Sequence, residues 1–368
     1  MGQTQVYDCR GWVFPNVHFM TDRTFVQGRF DGAWFPNAIR FSGAKFIGRP
    51  CFADTRFDGP VDFNGARFDL GVDFQRASFA QSAHFFGVTF GPTTDFEGTT
   101  FKRGARFGPL NLVRTTFAHQ CSFREVIFLA ATTFDRTEFG PEAHFDRSDL
   151  KPVRFRRCIM VGVSLAEAYG VADSDFDDCV WPKPPAALLR EEAEAHESGD
   201  WRRAQRAYQE VKRALETHHD FPTAYRFADR ELEMRRQDIL ASDGWLRGNL
   251  VSFEALYRLL ANYGDSWRRP FVLFASIIFL WPLLIGAQLL WSPSIRMGSV
   301  SITASGAGDW LSGYWAILYF AFRSAALLPD PTGMWLDGWP FICQMFLRIV
   351  TPFLAFLFGL AVRRRFRR

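Results

Sequence analysis

Two arginines, a serine and an aspartate interrupt the most apolar stretches of this 368-residue chain. Arg323 and Ser324 lie in YWAILYFAFRSAALL (314–328), Arg348 lies inside WPFICQMFLRIVTPFLAFLFGLAV (339–362), and Asp330 lies in SAALLPDPTGMW (324–335). A guanidinium is costly in hydrocarbon, so each arginine must face water, a partner group or a polar path. Asp330 on such a path attracts cations, and the carbonyls of 324–335 could line it. These four residues suit the passage of charged solutes rather than the making of bonds. Elsewhere no nucleophile stands beside a base and no Gly-rich loop is built for phosphate. His18, His84 and His144 each directly precede a Phe, which should turn them outward, and the adjacent His218 and His219 suit a solvated turn better than one metal. The six Cys show no CxxC spacing, and Cys121 and Cys158 read as small buried filler. No catalytic residue, metal ligand or cofactor is expected, and the chain is read as not an enzyme.

The segments that would position those side chains form a C-terminal domain over 270–368. PFVLFASIIFLWPLLIGAQLLW (270–291) holds no charge, and its length as a helix is about 33 Å, close to a bilayer core. Trp267 and Trp291 sit where interfacial aromatics belong. Residues 339–362 form the second span, and the short segment 314–328 reads as a re-entrant helix between them. Arg268 and Arg269 precede the first span and RRRFRR (363–368) follows the last, so both ends should be cytoplasmic. Span, half-helix, loop, span resembles the pore domain of two-span ion channels. The resemblance implies a homo-oligomer, a tetramer by analogy, because two spans cannot enclose a pore. The potassium-filter sequence T-V-G-Y-G is absent, so no ion is assigned.

The N-terminal half repeats differently. In FDGPVDFNGARFDLGVDFQRASF (57–79), Phe recurs in steps of six, five, six and five. Neither the 3.6-residue period of a helix nor the two-residue period of a strand fits. The series runs from Phe14 to Leu165, nearly all Phe, with Leu112, Leu150, Met160 and Leu165 as aliphatic members. Two residues before most anchors a small side chain recurs, as at Ala66, Val72, Ala77 and Thr99. If each step is one short side of a coil, Phe fills the axis and the small residue fits the corner, with Gly, Asp and Asn at the turns. Four sides give coils of about 20–22 residues, roughly eight of them in a column about 40 Å tall. Its expected core includes Phe57, Phe63, Phe68, Phe74, Phe79, Phe96 and Phe101.

FNGARF, FQRASF and FEGTTF closely resemble the pentapeptide-repeat family, whose fold is a right-handed four-sided β-helix. The expected fold class is therefore an all-β solenoid over 1–181, a helical linker over 182–269 and an α-helical two-span membrane domain. A left-handed hexapeptide β-helix is the alternative, but it needs strict six-residue steps. Some pentapeptide-repeat proteins look like DNA and protect topoisomerases. That role needs a strongly acidic column, whereas charges balance across 1–181 and the whole chain carries only +4. No nucleic-acid partner is expected.

WPKPP (181–185) ends the solenoid, and Ala204, Tyr208, Val211 and Leu215 then mark one helix face behind an Asp200 N-cap. Pro222 suits the first turn of a second helix presenting Ala224, Phe227, Ala228 and Leu232. The pair weakly resembles a single tetratricopeptide-type hairpin and reads as a connector. The opening MGQTQVYDCR lacks a secretory pattern, and Val6 misses the myristoylation pattern. The expected location is the bacterial inner membrane, multi-pass, in contact with lipid. Two functions compete: a channel-like homo-oligomer with a cytoplasmic sensor or scaffold, and a membrane-anchored scaffold that binds a cytoplasmic protein through the β-helix.

Overall fold

The computed structural model describes residues 6–15, 18–183, 186–246, 248–249, 252–261, 263, 268–287, 294–297, 300–303, 315, 318–319, 322–323 and 339–366. Two compact units divide between Ser242 and Asp243.

The first unit is a β-solenoid of about eight turns closed by helices. Its strands are only two to four residues long because a corner interrupts the chain after each anchor. Coils stack in parallel register: His84 pairs with Arg106, and Phe85 with Phe107, 22 residues on. One sheet has eight strands, one from each coil. The anchors form four stacks, of which Phe30, Phe52, Phe74, Phe96, Phe123 and Phe145 make one, with ring centroids 4.8–5.1 Å apart. Neighbouring stacks meet edge to face, as Phe85 meets Phe96 at 5.9 Å and 89°. Both geometries suit the ring quadrupole. All seven expected core rings are fully buried.

The corners explain the small residues. At alternate corners the slot residue donates its N–H to the carbonyl of the Phe three before it, as Ala66 does to Phe63 at 2.9 Å. The intervening residue takes positive φ, supplied by Gly65 at 68° but also by Arg76 at 54° and Arg136 at 47°. At several slots a polar side chain reaches the previous coil: Thr99 Oγ1 donates to Phe74 O at 2.8 Å and Cys158 Sγ to Phe134 O at 3.1 Å, whereas Thr94 Oγ1 donates within its own coil to Gly91 O at 3.1 Å. The buried hydroxyl of Thr99 is thereby satisfied.

Among the described residues the series errs once. Leu112 is 96% exposed and anchors nothing. The step from Phe107 to its stacking partner Phe134 is 27 residues, against 22 from Phe85 to Phe107. The surplus loops outward between Gly108 and Thr115, and Thr115 Oγ1 closes it, 2.7 Å from both the Phe85 and Gly108 carbonyl oxygens.

Three helices cover the last coil: α1 (Arg190–Ser198), α2 (Trp201–Thr217) and α3 (Phe221–Asp243). Asp200 caps α2 as expected, its side chain accepting from Arg203 N at 3.1 Å. Ala204, Tyr208, Val211, Leu215, Ala224 and Phe227 are buried, while Ala228 and Leu232 are half-buried. Expected as a connector, these helices share the solenoid's core instead: Trp181 meets Phe227 at 4.8 Å and Phe176 at 5.7 Å. A stack of coils ends in an open apolar face, and a polar-backed cap is the usual solution.

In the second unit, α4 (Phe253–Ala261), α5 (Arg268–Ala287) and α6 (Trp339–Phe366) pack together, with Phe271 and Phe358 6.2 Å apart. Pro352 lies inside α6. An antiparallel hairpin, Ser294–Met297 with Val300–Thr303, follows α5 and was not anticipated. Within 314–328, Trp315, Leu318, Tyr319, Phe322 and Arg323 are helical.

Candidate functional site

Of the expected pore residues, Arg323 and Arg348 are described and half-buried, whereas Ser324 and Asp330 lie outside the described residues, as do Trp267 and Trp291. Arg323 Nη1 donates to Tyr319 Oη at 2.9 Å, and the guanidinium lies 5.6 Å from that ring's centre. One helical turn therefore supplies both a hydrogen bond and a cation–π contact. Arg348 sits on α6, among exposed Met345, Phe346 and Ile349.

The apolar surface around them is extensive. Phe271, Val272, Phe279 and Leu280 on α5 are at least half exposed, as are Phe346, Ile349 and Phe356 on α6. Between α5 and α6 a cavity of about 200 Å³ is lined, among the described residues, by Pro270, Phe271, Phe274, Leu354, Ala355 and Phe358. Among the described residues, no helix is long and apolar enough to cross a membrane. On α5 the described side chains end at Leu280, short of the uncharged run to Trp291 in the sequence.

A dense cluster of charged groups lies in the first unit, where α1 and α2 meet the solenoid. Glu191, fully buried on α1, accepts through Oε1 from Leu165 N and from Ala166 N at 2.6 Å, while its Oε2 has no partner among the described residues. Ser164 Oγ stands between two acids, 2.8 Å from Asp146 Oδ1 and 3.1 Å from Glu191 Oε1. Arg124 Nε lies 3.2 Å from Asp146 Oδ2, and Arg203 reaches Glu194 at 3.4 Å and Asp146 at 3.9 Å. Burial works to raise the Asp146 pKa, but hydrogen bonds from His144 and Ser164 and the charges of His144 and Arg124 hold it down at about 2. Glu191 goes the other way: burial raises its pKa, only partly offset by its backbone and serine donors.

His144 is therefore a correction. Its place in the strand turns it outward, yet it is only 7% exposed, with Nδ1 3.5 Å from Asp146 Oδ2 beneath the helical cap. His218 lies 3.9 Å from Asp175 in a polar cavity of about 580 Å³ lined also by Asp177, Asp178, His219 and Asp220. Among the described residues, no group of three or more His, Cys, Asp or Glu is placed to hold a metal ion. The burial of Cys121 and Cys158 agrees with their reading as filler, and burial raises the Cys121 thiol. Glu191, Asp146 and Arg203 escaped the sequence reading because 45 and 57 positions separate Asp146 from the other two. The hairpin after α5 did leave a signal, a Gly-Ser pair between two alternating four-residue runs.

The repeat geometry places the N-terminal half in the class of pentapeptide-repeat β-solenoids. In agreement, a family model described as pentapeptide repeats (9 copies) matches residues 41–89 and 112–159. No similar curated protein and no similar solved structure was found.

Proposed function

We propose that the chain is a homo-oligomeric, channel-like membrane protein, its α5 and α6 helices bedded in lipid and its solenoid a cytoplasmic sensor or scaffold. The exposed apolar belt on the second unit carries this reading: rings such as Phe279, Phe346 and Phe356 are more than half exposed on two adjacent helices. Water-soluble units rarely leave so large a contiguous apolar surface bare. The uncharged sequence run 270–291 would give about 33 Å as a helix, close to the depth of a bilayer core. Half-buried Arg323, in the segment 314–328, and half-buried Arg348, on α6, suit walls of a polar path between copies. Right-handed coiling, the tetramer, cytoplasmic termini and a bacterial inner-membrane address belong to the same proposal.

The test is the mass of the purified chain in detergent, followed by current across a planar bilayer. A closed oligomer that conducts is the expected result. A chain that extracts into buffer without detergent refutes the membrane assignment. A monomer without current under voltage, tension or candidate ligands refutes the channel. A membrane-anchored scaffold is the second reading, favoured by the first unit's sheet faces, two to four residues wide and up to eight strands tall, with outward polar side chains.

A further inference from the structure

The 27-residue coil that breaks the solenoid's period also breaks its charge balance. Between Glu97 and Glu125 the chain has no acidic residue and five cations: Lys102, Arg103, Arg106, Arg114 and Arg124. Elsewhere on the column arginines are commonly matched, as Arg56 is by Asp58, Arg67 by Asp69, Arg76 by Asp54 and Arg147 by Glu125. Arg124 pairs with Asp146, but the other four have no ion pair among the described residues.

The same coil carries the exposed loop. Leu110 and Val113 exchange both backbone hydrogen bonds, at 2.9 and 3.0 Å, across Asn111 with φ 54° and Leu112. Leu110 lies against two positive-φ glycines: a Cβ on Gly87 would stand 2.5 Å from Leu110 Cβ, and one on Gly65 3.3 Å from its Cδ2. The loop is thus a fixed tongue with an apolar tip, Leu112 at 96% and Val113 at 58% exposure, on a basic coil.

We propose that this coil docks on an anionic lipid surface, Leu112 and Val113 entering the headgroup boundary while Arg106, Arg114, Lys102 and Arg103 meet lipid phosphates. Charge complementarity selects an anionic partner, and the apolar tip selects lipid over nucleic acid, which cations alone would serve. The inference stands on this loop and holds whether or not α5 and α6 cross a bilayer.

Tryptic cleavage after exposed Arg114 reports the docking. The full chain is compared in detergent, in nanodiscs of phosphatidylcholine, and in nanodiscs that also contain phosphatidylglycerol. Cleavage should slow about ten-fold in the anionic discs alone, and Arg106→Gln should return about five-fold of that. Leu112→Asp should restore the detergent rate, with the column intact because the side chain touches no core. Equal cleavage in all three settings overturns the proposal. A chain that does not enter nanodiscs tells against the membrane-embedded reading, and the loop is then read by flotation with preformed vesicles of the two compositions. Flotation with anionic vesicles only supports docking; no flotation, or equal flotation, overturns it. Binding of a short DNA duplex that Arg106→Gln weakens and Leu112→Asp leaves unchanged assigns the coil to nucleic acid and also overturns it.

Discussion

Replacing Phe74 by Ala and, separately, Leu112 by Ala tests the packing logic of the column. Phe74 is fully buried, stacked at 5.1 Å on Phe52 and 5.0 Å on Phe96, and met edge-on by Phe63 at 5.5 Å and Phe85 at 6.2 Å. Truncation removes about 100 Å³ of ring, and cavity creation costs about 24 cal/mol per Å³, so the hole alone accounts for about 2.4 kcal/mol. Lost transfer energy brings the total to about 4 kcal/mol, since coils hydrogen-bonded on both sides cannot close the gap. Leu112→Ala should cost less than about 0.5 kcal/mol, as surface changes do. Hydrogen exchange on the full chain reads each coil separately. Amides that exchange only by opening of the column should lose about a thousand-fold in protection for Phe74→Ala, by 1.4 kcal/mol per decade, and nothing for Leu112→Ala. Equal losses for the two variants would refute the assignment of the long coil, and a loss under ten-fold for Phe74→Ala would refute close packing of the axis.

Glu191→Gln keeps the shape and the Oε1 acceptor while removing the charge. With its folded pKa above the unfolded 4.5, Glu191 holds its proton longer in the native state, so stability falls as pH rises from there through the folded value. The variant should lose that fall and match or exceed the native protein in thermal midpoint at neutral pH; a lower midpoint there rules out a strained acid. Asp146 runs the opposite way: held at about 2 against 3.8, its contribution is present above about 3.8 and lost as pH falls toward 2, so the stability lost over that acid range should vanish in Asp146→Asn. Arg136→Gly relieves a side chain held at φ 47° and should stabilise by about 0.5–1 kcal/mol in denaturant unfolding; destabilisation would mean that the arginine makes a contact outweighing its backbone cost. Arg348→Gln should change unitary conductance or ion preference if the channel reading holds, and unaltered currents would place Arg348 away from the path.

The repeat was legible because one ring per side must reach a narrow axis, which forces a large residue at every fifth or sixth position. Leu112 misled because the insertion is five residues long, one ordinary step. The aromatic phase therefore resumed at Phe117 as though no loop had intervened. The N-cap at Asp200 and the face Ala204–Leu215 are local and were readable. That α1–α3 would lie on the last coil, burying His144 and gathering Glu191, Asp146 and Arg203, depends on contacts across dozens of residues and leaves no periodic trace. Arg323 stood out as a charge in an apolar run, but its contact with Tyr319 gave only the ordinary i−4 hint.

Near-identical rungs raise a question of threading. With Phe on every side, a chain wound one turn out of step would still bury rings against rings and lose little energy. The 27-residue coil and the terminal aliphatics Leu150, Met160 and Leu165 deny that freedom, because a displaced winding would force the tongue inward or leave Trp181 without its seat. The irregular turn thus serves as a place-marker, so that its deletion should yield a column that still forms but settles in several frames.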